Sequence, residues 1–320
     1  MQRYGITIPF DGAPLPEQRG LVAELADLGY TDVWSSEVDG ADAFTPLALA
    51  SVWAPNLRLG TAIVPVFTRG PATLAQSAAA LAAAAPGRVT LGIGTSSDVI
   101  VERWNGGAFT APYQRVRDTA RFLRAALTGA RISQRYETFA VDGFRLQLVP
   151  EQPPTLLIAA LRPGMLRLAG RESDGAVLNL LSPDDVRTVV PHVHRAGPGK
   201  EIVARIGVVA TADAERARAV GRRVLAAYLT VPVYRAFHQW LGRGERLEGM
   251  WRAWAAGDRK AALAAIPDDL VDELVVHGPP EHCREQVRRY VDAGVTTPVL
   301  WLLPVGGDAA EQVRALAPGA

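Results

Sequence analysis

Along most of the chain, short alternating or continuously apolar runs give way to longer stretches in which apolar residues recur every three or four positions. The first pattern predicts strands and the second helices. Tyr4 to Ile8 alternates and runs into Pro9, Gly12 and Pro14, a strand leaving into a loop. From Leu15 to Leu28, apolar positions 21, 22, 25 and 28 mark one helical face, with Gly29 as the stop. Asp32 to Ser35 reads as a second strand and Phe44 to Trp53 as a second helix. Leu57 to Val64 is a third strand, and Pro71 opens an Ala-rich helix where proline is tolerated. Arg88 to Ile93 is a fourth strand, followed by a helix from about Tyr113 to Leu127.

The alternation breaks at Tyr136 to Leu148, which predicts a hairpin turning at Asp142-Gly143. It resumes with a strand at Thr155 to Ala159, a helix at Met165 to Arg171, a strand at Gly175 to Leu180 and a helix after Ser182-Pro183. A strand at Glu201 to Ala210 and a helix at Asp213 to Leu229 follow. Residues 231–276 predict a mostly helical insertion rich in Trp and Arg. Glu281 to Ala293 is a helix, Pro298 to Leu303 the last strand, and a short helix ends the chain.

These elements make eight strand-plus-helix units. Strands separated by helices pair in parallel, and eight of them can close into a (β/α)8 TIM barrel. An open doubly wound sheet is the alternative, but no Gly-x-Gly-x-x-Gly turn follows the first strand. The expectation is one barrel domain over residues 1–320, with insertions at about 130–150 and 231–276. Function then belongs on the loops after the strands' C-terminal ends.

Composition narrows the partners. The 320 residues are 48% hydrophobic, enough for a large core. With 34 basic and 33 acidic side chains the net charge is +1, so neither nucleic acid nor an anionic membrane is the expected partner. Cys283 is the only cysteine, which excludes an internal disulfide and a multi-cysteine metal site. The apolar run Ala78 to Ala85 is too short to span a bilayer, and Met1 to Phe10 shows no leader pattern. A soluble, cytoplasmic protein is expected.

Among the loops, the first offers Pro9 and Phe10 as apolar walls. Glu37, just after the second strand, reads equally as a site acid or as a solvated loop acid. Gly60 to Pro71 mixes small residues that admit a flat ligand with Arg69, which alone reads as a surface or helix-terminus charge. Gly92-Ile93-Gly94-Thr95-Ser96-Ser97-Asp98 combines glycines with hydroxyls, yet is neither a dinucleotide fingerprint nor a P-loop. Ala159 to Met165 enters a helix whose free amides, beside Arg162, suit a phosphate as well as an ordinary helix start. Asn179 follows the sixth strand. His192 and His194, two apart on a helix, point in different directions, so no metal site is expected. No HExxH, Gly-x-Ser-x-Gly or kinase set occurs, which suggests that a cofactor supplies the reactivity.

Taken together in order, the segments resemble the bacterial luciferase-like superfamily, in its deazaflavin (coenzyme F420)-dependent oxidoreductase branch. The resemblance rests on Gly29 to Glu37, Leu57 to Ile63, Thr68 to Pro71, Pro86 to Gly94, Ala159 to Met165, Ala169 to Gly175 and Ala293 to Val295. It implies a TIM barrel with insertions, usually a homodimer, binding a deazaflavin or flavin at the C-terminal mouth. It places a non-prolyl cis peptide at Ala62–Ile63, behind the ring, and Glu37 as the acidic, catalytic position near the ring edge. Cofactor contacts are implied at Thr61, Ala62, Ile63, Gly92, Gly94, Thr95, Ser96 and Ser97, and in the phosphate loop Ala159, Ala160, Leu161, Arg162, Pro163, Gly164 and Met165. The chain departs from the deazaflavin-dependent sugar-phosphate dehydrogenases: Val38 and Thr95 stand where those pair a histidine with a glutamate. Without that base, hydride transfer from reduced cofactor to an activated C=C or C=N bond is favoured over alcohol oxidation. An FMN-dependent monooxygenase fed by a partner reductase is the alternative, and a non-catalytic cofactor binder or a cofactor-free lyase stand behind it.

Overall fold

The structure is a computed structural model that describes residues 2–303 and 305–319. Its strands in chain order are β1 (Gly5–Thr7), β2 (Asp32–Ser35), β3 (Arg58–Thr61), β4 (Val64–Pro65), β5 (Val89–Gly94) and β6 (Ile132–Arg135). They continue with β7 (Ala140–Phe144), β8 (Thr155–Ala159), β9 (Gly175–Asn179), β10 (Glu201–Ala210), β11 (Val276–Gly278) and β12 (Thr297–Leu302). Eight of them close a parallel barrel in the order β1-β2-β3-β5-β8-β9-β10-β12, with β12 returning to β1. Helices between consecutive strands supply the crossovers that parallel pairing needs. The barrel is therefore the fold, and the open-sheet alternative is set aside.

The pleat turns alternate residues inward, and the inward set changes character from bottom to top. At the bottom, the Arg58 guanidinium donates to the carboxylates of Asp32 and Glu201, the latter at 2.9 Å through Nη1. Burial opposes the Arg58 charge, but these two carboxylates outweigh it and hold its pKa above the ordinary value. Above this seal lies an apolar plug of Trp34, Leu157, Val177, Val203 and Val299. The Trp34 ring spreads over β3 because residue 60 is glycine: a Cβ there would stand 2.3 Å from the ring. The floor of the mouth is thus solid, and only the C-terminal ends of the strands remain for a ligand.

Four departures from the sequence pattern have local causes. The stretch Leu15 to Leu28 is a 3-10 turn (Leu15–Gln18) and a short helix (Arg19–Glu24), not one long helix. Pro16 has no N–H to donate at its start, and Gly29 reverses the chain at φ +90°. The expected third strand is split, since the chain leaves β3 at Ala62 and rejoins β5 as β4. The β6–β7 hairpin turns at Glu137-Thr138, where Tyr136 N–H donates to Phe139 C=O at 2.8 Å, rather than at Asp142-Gly143. Gly143, at φ +69°, instead sits beside a register shift in the ladder, and its N–H donates to the Ser133 hydroxyl. Finally, the stretch 231–276 contains four helices, but its end begins a strand: β11 pairs with Val208–Ala210 at the rim. Three residues are too few to show a period of two.

Candidate active site at the barrel mouth

One wall of the mouth is built where β3 ends. Ala62 N–H donates to Ser35 C=O at 2.7 Å, Glu37 N–H donates to Ile63 C=O at 3.2 Å, and the Ala62–Ile63 peptide bond between them is cis. Ala62, Ile63 and Ala159, at the C-terminal ends of β3 and β8, are partly buried and pack against the apolar plug. The Thr61 hydroxyl donates to Gly92 C=O and accepts from Gly92 N–H, each at 2.8 Å. A Cβ on Gly92 would lie 2.1 Å from Thr61 O, and one on Gly94 3.1 Å from the Ile63 side chain. The room that these glycines leave is therefore taken by the chain's own bend. Thr61 and Gly92 stand behind the wall, while Ala62 and Ile63 face outward from it.

Glu37 lies at the edge of this wall, and its carboxylate is already engaged. Arg69 grips it through Nε at 3.2 and 3.1 Å and through Nη2 at 2.7 Å, a forked pairing of two largely buried side chains. Ala43 N–H and the Thr68 hydroxyl donate to the same carboxylate at 3.3 and 3.4 Å. These bonds from Glu37 raise the Arg69 pKa above its usual value. Arg69 also reaches Asp42 at 3.4 Å, and its guanidinium lies 5.0 Å from the Phe44 ring centroid. Partial burial favours neutral Asp42, but hydrogen bonds from Thr45 and Phe44 and the charge of Arg69 lower its pKa. Arg69 is thus a structural partner of Glu37, 32 residues away in sequence.

Two loops complete this side. After β5, Ser96 adopts φ +62°, Thr95 Oγ1 donates to Ser96 C=O at 3.2 Å, and Ser97 Oγ accepts from Ile100 N–H at 3.3 Å. The loop then enters a π-helical turn, Val99–Trp104. After β8, Ala160 is buried and donates its N–H to Val177 C=O, whereas Arg162 and Gly164 are exposed. The helix Pro163–Glu172 begins here with proline in its first turn and no side chain capping it. A Cβ on Gly164 would meet nothing within 4 Å, so the first turn is uncrowded on that side, and no side chain bonds its free amides.

Across the mouth lies a cavity of about 540 Å³ between the ends of β1, β2, β10 and β12. Pro9 and Phe10 line it, as expected, together with Val38 and Asp39. Its most polar wall was not anticipated: Arg205 stacks 3.7 Å from the Trp301 ring centroid and donates to the Tyr228 hydroxyl at 3.2 Å. Next to β10 on β9, Asn179 donates to the Tyr234 hydroxyl at 2.8 Å. Alternation along β10 carried the missed signal, since Glu201, Val203 and Arg205 share the inward face. His192 and His194 lie on the outer helix Pro183–His194, away from the strand ends. Among the described residues no cluster of three metal-type ligands occurs, and no helix is long and apolar enough to cross a membrane.

Comparison with known proteins agrees with this architecture. A model of the luciferase-like monooxygenase family matches residues 3–297. A Mycobacterium tuberculosis protein provisionally named coenzyme F420-dependent oxidoreductase Rv3520c is 30% identical, with 98% of each chain covered. The 5,10-methylenetetrahydromethanopterin reductase of Archaeoglobus fulgidus is 24% identical over 90% of each chain. Among solved structures, the coenzyme F420 dependent tetrahydromethanopterin reductase of Methanopyrus kandleri shares the fold with a TM-score of 0.81, at 19% identity and over 99% of this chain and 97% of that one.

Proposed function

This chain belongs to the luciferase-like monooxygenase family, and from that premise we propose that it is a coenzyme F420-dependent oxidoreductase reducing an activated C=C or C=N bond of a small molecule. The observation that carries this reading is the 30% identity, across 98% of both chains, to a relative whose name is that of an F420-dependent oxidoreductase. The residues present fit the cofactor. Ala62, Ile63 and Ala159 offer a flat apolar wall for a ring system, and the uncapped start of Pro163–Glu172 offers amides for its phosphate. When bound, the reduced deazaflavin supplies a hydride.

The chain's own residues bind, orient and shield. Thr95, Ser96 and Ser97 would border the ring and its side chain, and Ala160 to Met165 would hold the phosphate, with Arg162 as the nearby cation. Glu37, committed to Arg69, fixes the edge of the wall and acts as a positioning residue. Neither Val38 nor Thr95 offers a base, which supports reduction over alcohol oxidation. The family resemblance supports a homodimer as the working unit, which sedimentation of the purified protein reads directly.

The test is anaerobic turnover. Reduced deazaflavin should be reoxidised by the protein when activated alkenes or imines are added, and should stay reduced without them. Turnover seen only with reduced FMN and oxygen would replace this reading with the monooxygenase one.

A further inference from the structure

The cavity across the mouth holds one cation that makes no ion pair among the described residues. Arg205 projects inward from β10, its guanidinium plane laid on Trp301 at 3.7 Å and its Nη1 committed to the Tyr228 hydroxyl at 3.2 Å. Its Nε is buried without a partner, and no acceptor among the described residues serves Nη2 or forms an ion pair with the group. Two other inward arginines are treated differently: Arg58 meets Asp32 and Glu201, and Arg243 meets Asp185 and Glu273. Taking a guanidinium out of water without an anion costs several kcal/mol. Unlike Arg58 and Arg243, Arg205 is left without an anion at the edge of a cavity.

We propose that Arg205 is the anchor for a carboxylate of the substrate, held through Nη2, the donor of the fork that is neither bonded nor buried; the assignment deepens the oxidoreductase reading and rests on it. Stacking on Trp301 and the bond to Tyr228 fix the guanidinium plane, so a planar anion docks in one orientation. The cavity's charge selects carboxylate over phosphate. Among the described residues Arg205 is the only basic one lining it, while Asp11 and Asp39 line it from exposed positions at the rim. A monoanion pairs charge for charge with Arg205, whereas the second charge of a dianion would meet only the rim acids. The substrate class is thus an unsaturated small acid, with its charged end at Arg205 and its reducible bond toward the Ala62–Ile63 wall.

Calorimetric titration of the cofactor-free protein with trans-cinnamate, trans-cinnamamide and phenyl phosphate tests this directly. Cinnamate should bind at least about 10-fold tighter than either other compound, the range a charge-assisted hydrogen bond supplies. Arg205→Met should abolish the preference for acid over amide. Should that variant not fold, Arg205→Lys keeps the charge but loses the fork, and should weaken cinnamate by about 10-fold without changing the amide. Equal or absent binding of acid and amide by the wild-type protein would overturn the assignment. So would phenyl phosphate binding as tightly as cinnamate, or an acid preference surviving in folded Arg205→Met. Parallel titration with deazaflavin separates the two claims. A protein that selects cinnamate but binds no deazaflavin keeps the anion subsite and loses the oxidoreductase reading. One that binds deazaflavin but ignores the carboxylate does the reverse.

Discussion

At the scale of single residues, the site depends on pairs that sequence distance hides. Glu37 was visible as an acid at a strand end, but its commitment to Arg69 joins two loops and has no local signature. Glu37→Gln and Arg69→Met should each cost about 1–3 kcal/mol, because each strips a charged hydrogen-bond partner from a largely buried group. The double variant should cost less than their sum, and thermal denaturation of the three proteins reads that coupling. Additive losses would make the two residues independent. Gly92→Ala should destabilise by about 1–3 kcal/mol through overpacking, since its methyl would meet Thr61 O at 2.1 Å; a melting curve matching wild type would show that the bend yields freely. The glycines of that loop were legible as places of close approach. What approaches Gly92 is the chain itself, a fact that needs the β3–β5 register.

At the scale of elements, the helix starting at Pro163 and the helices after residue 231 carry separate predictions. Changing Arg162 to Glu and Gly164 to Val together should weaken cofactor binding, by placing negative charge and bulk over the uncapped amides. Fluorescence titration gives the affinity, and an unchanged value would move the phosphate site elsewhere. The insertion is pinned to the barrel by Arg243, which bonds Asp185 at 2.8 Å and also meets Glu273. Burial opposes the charge on Glu273, but bonds from Arg243 hold its pKa below the usual carboxylate range. Arg243→Met leaves Asp185 buried without its cation, and should cost about 3–5 kcal/mol in chemical denaturation; a loss under 1 kcal/mol would show the insertion held by its apolar contacts alone. Long periodic elements such as Phe44–Trp53 and Glu201–Ala210 were readable to their ends. The hairpin turn was not, because Asp142-Gly143 has the same composition whether it turns a chain or sits in a bulge.

At the scale of the whole molecule, eight alternating units made the barrel legible, since parallel pairing leaves few ways to close them. The cavity across the mouth was less so, because it is assembled from the ends of β1, β2, β10 and β12, which lie at opposite ends of the sequence. Global stability should also carry a pH signature. His238 is fully buried in the helical insertion; burial, aided by the charge of Arg243, pushes its pKa down to about 3. Between that value and the unfolded value near 6.5 the unfolded chain binds the proton and the native chain does not, so stability falls as pH drops below about 6.5. The loss from this group reaches about 2 kcal/mol at pH 5, and His238→Phe should remove it. Denaturation midpoints that fall equally in both proteins would assign the acid limb to other groups. The proposed function requires the mouth of this barrel to bind a deazaflavin. Fluorescence titration of the purified protein with coenzyme F420 and, separately, FMN tests it most directly: micromolar or tighter binding of the deazaflavin, with FMN at least about 10-fold weaker, is the result expected, and preference for FMN, or binding of neither, would contradict it.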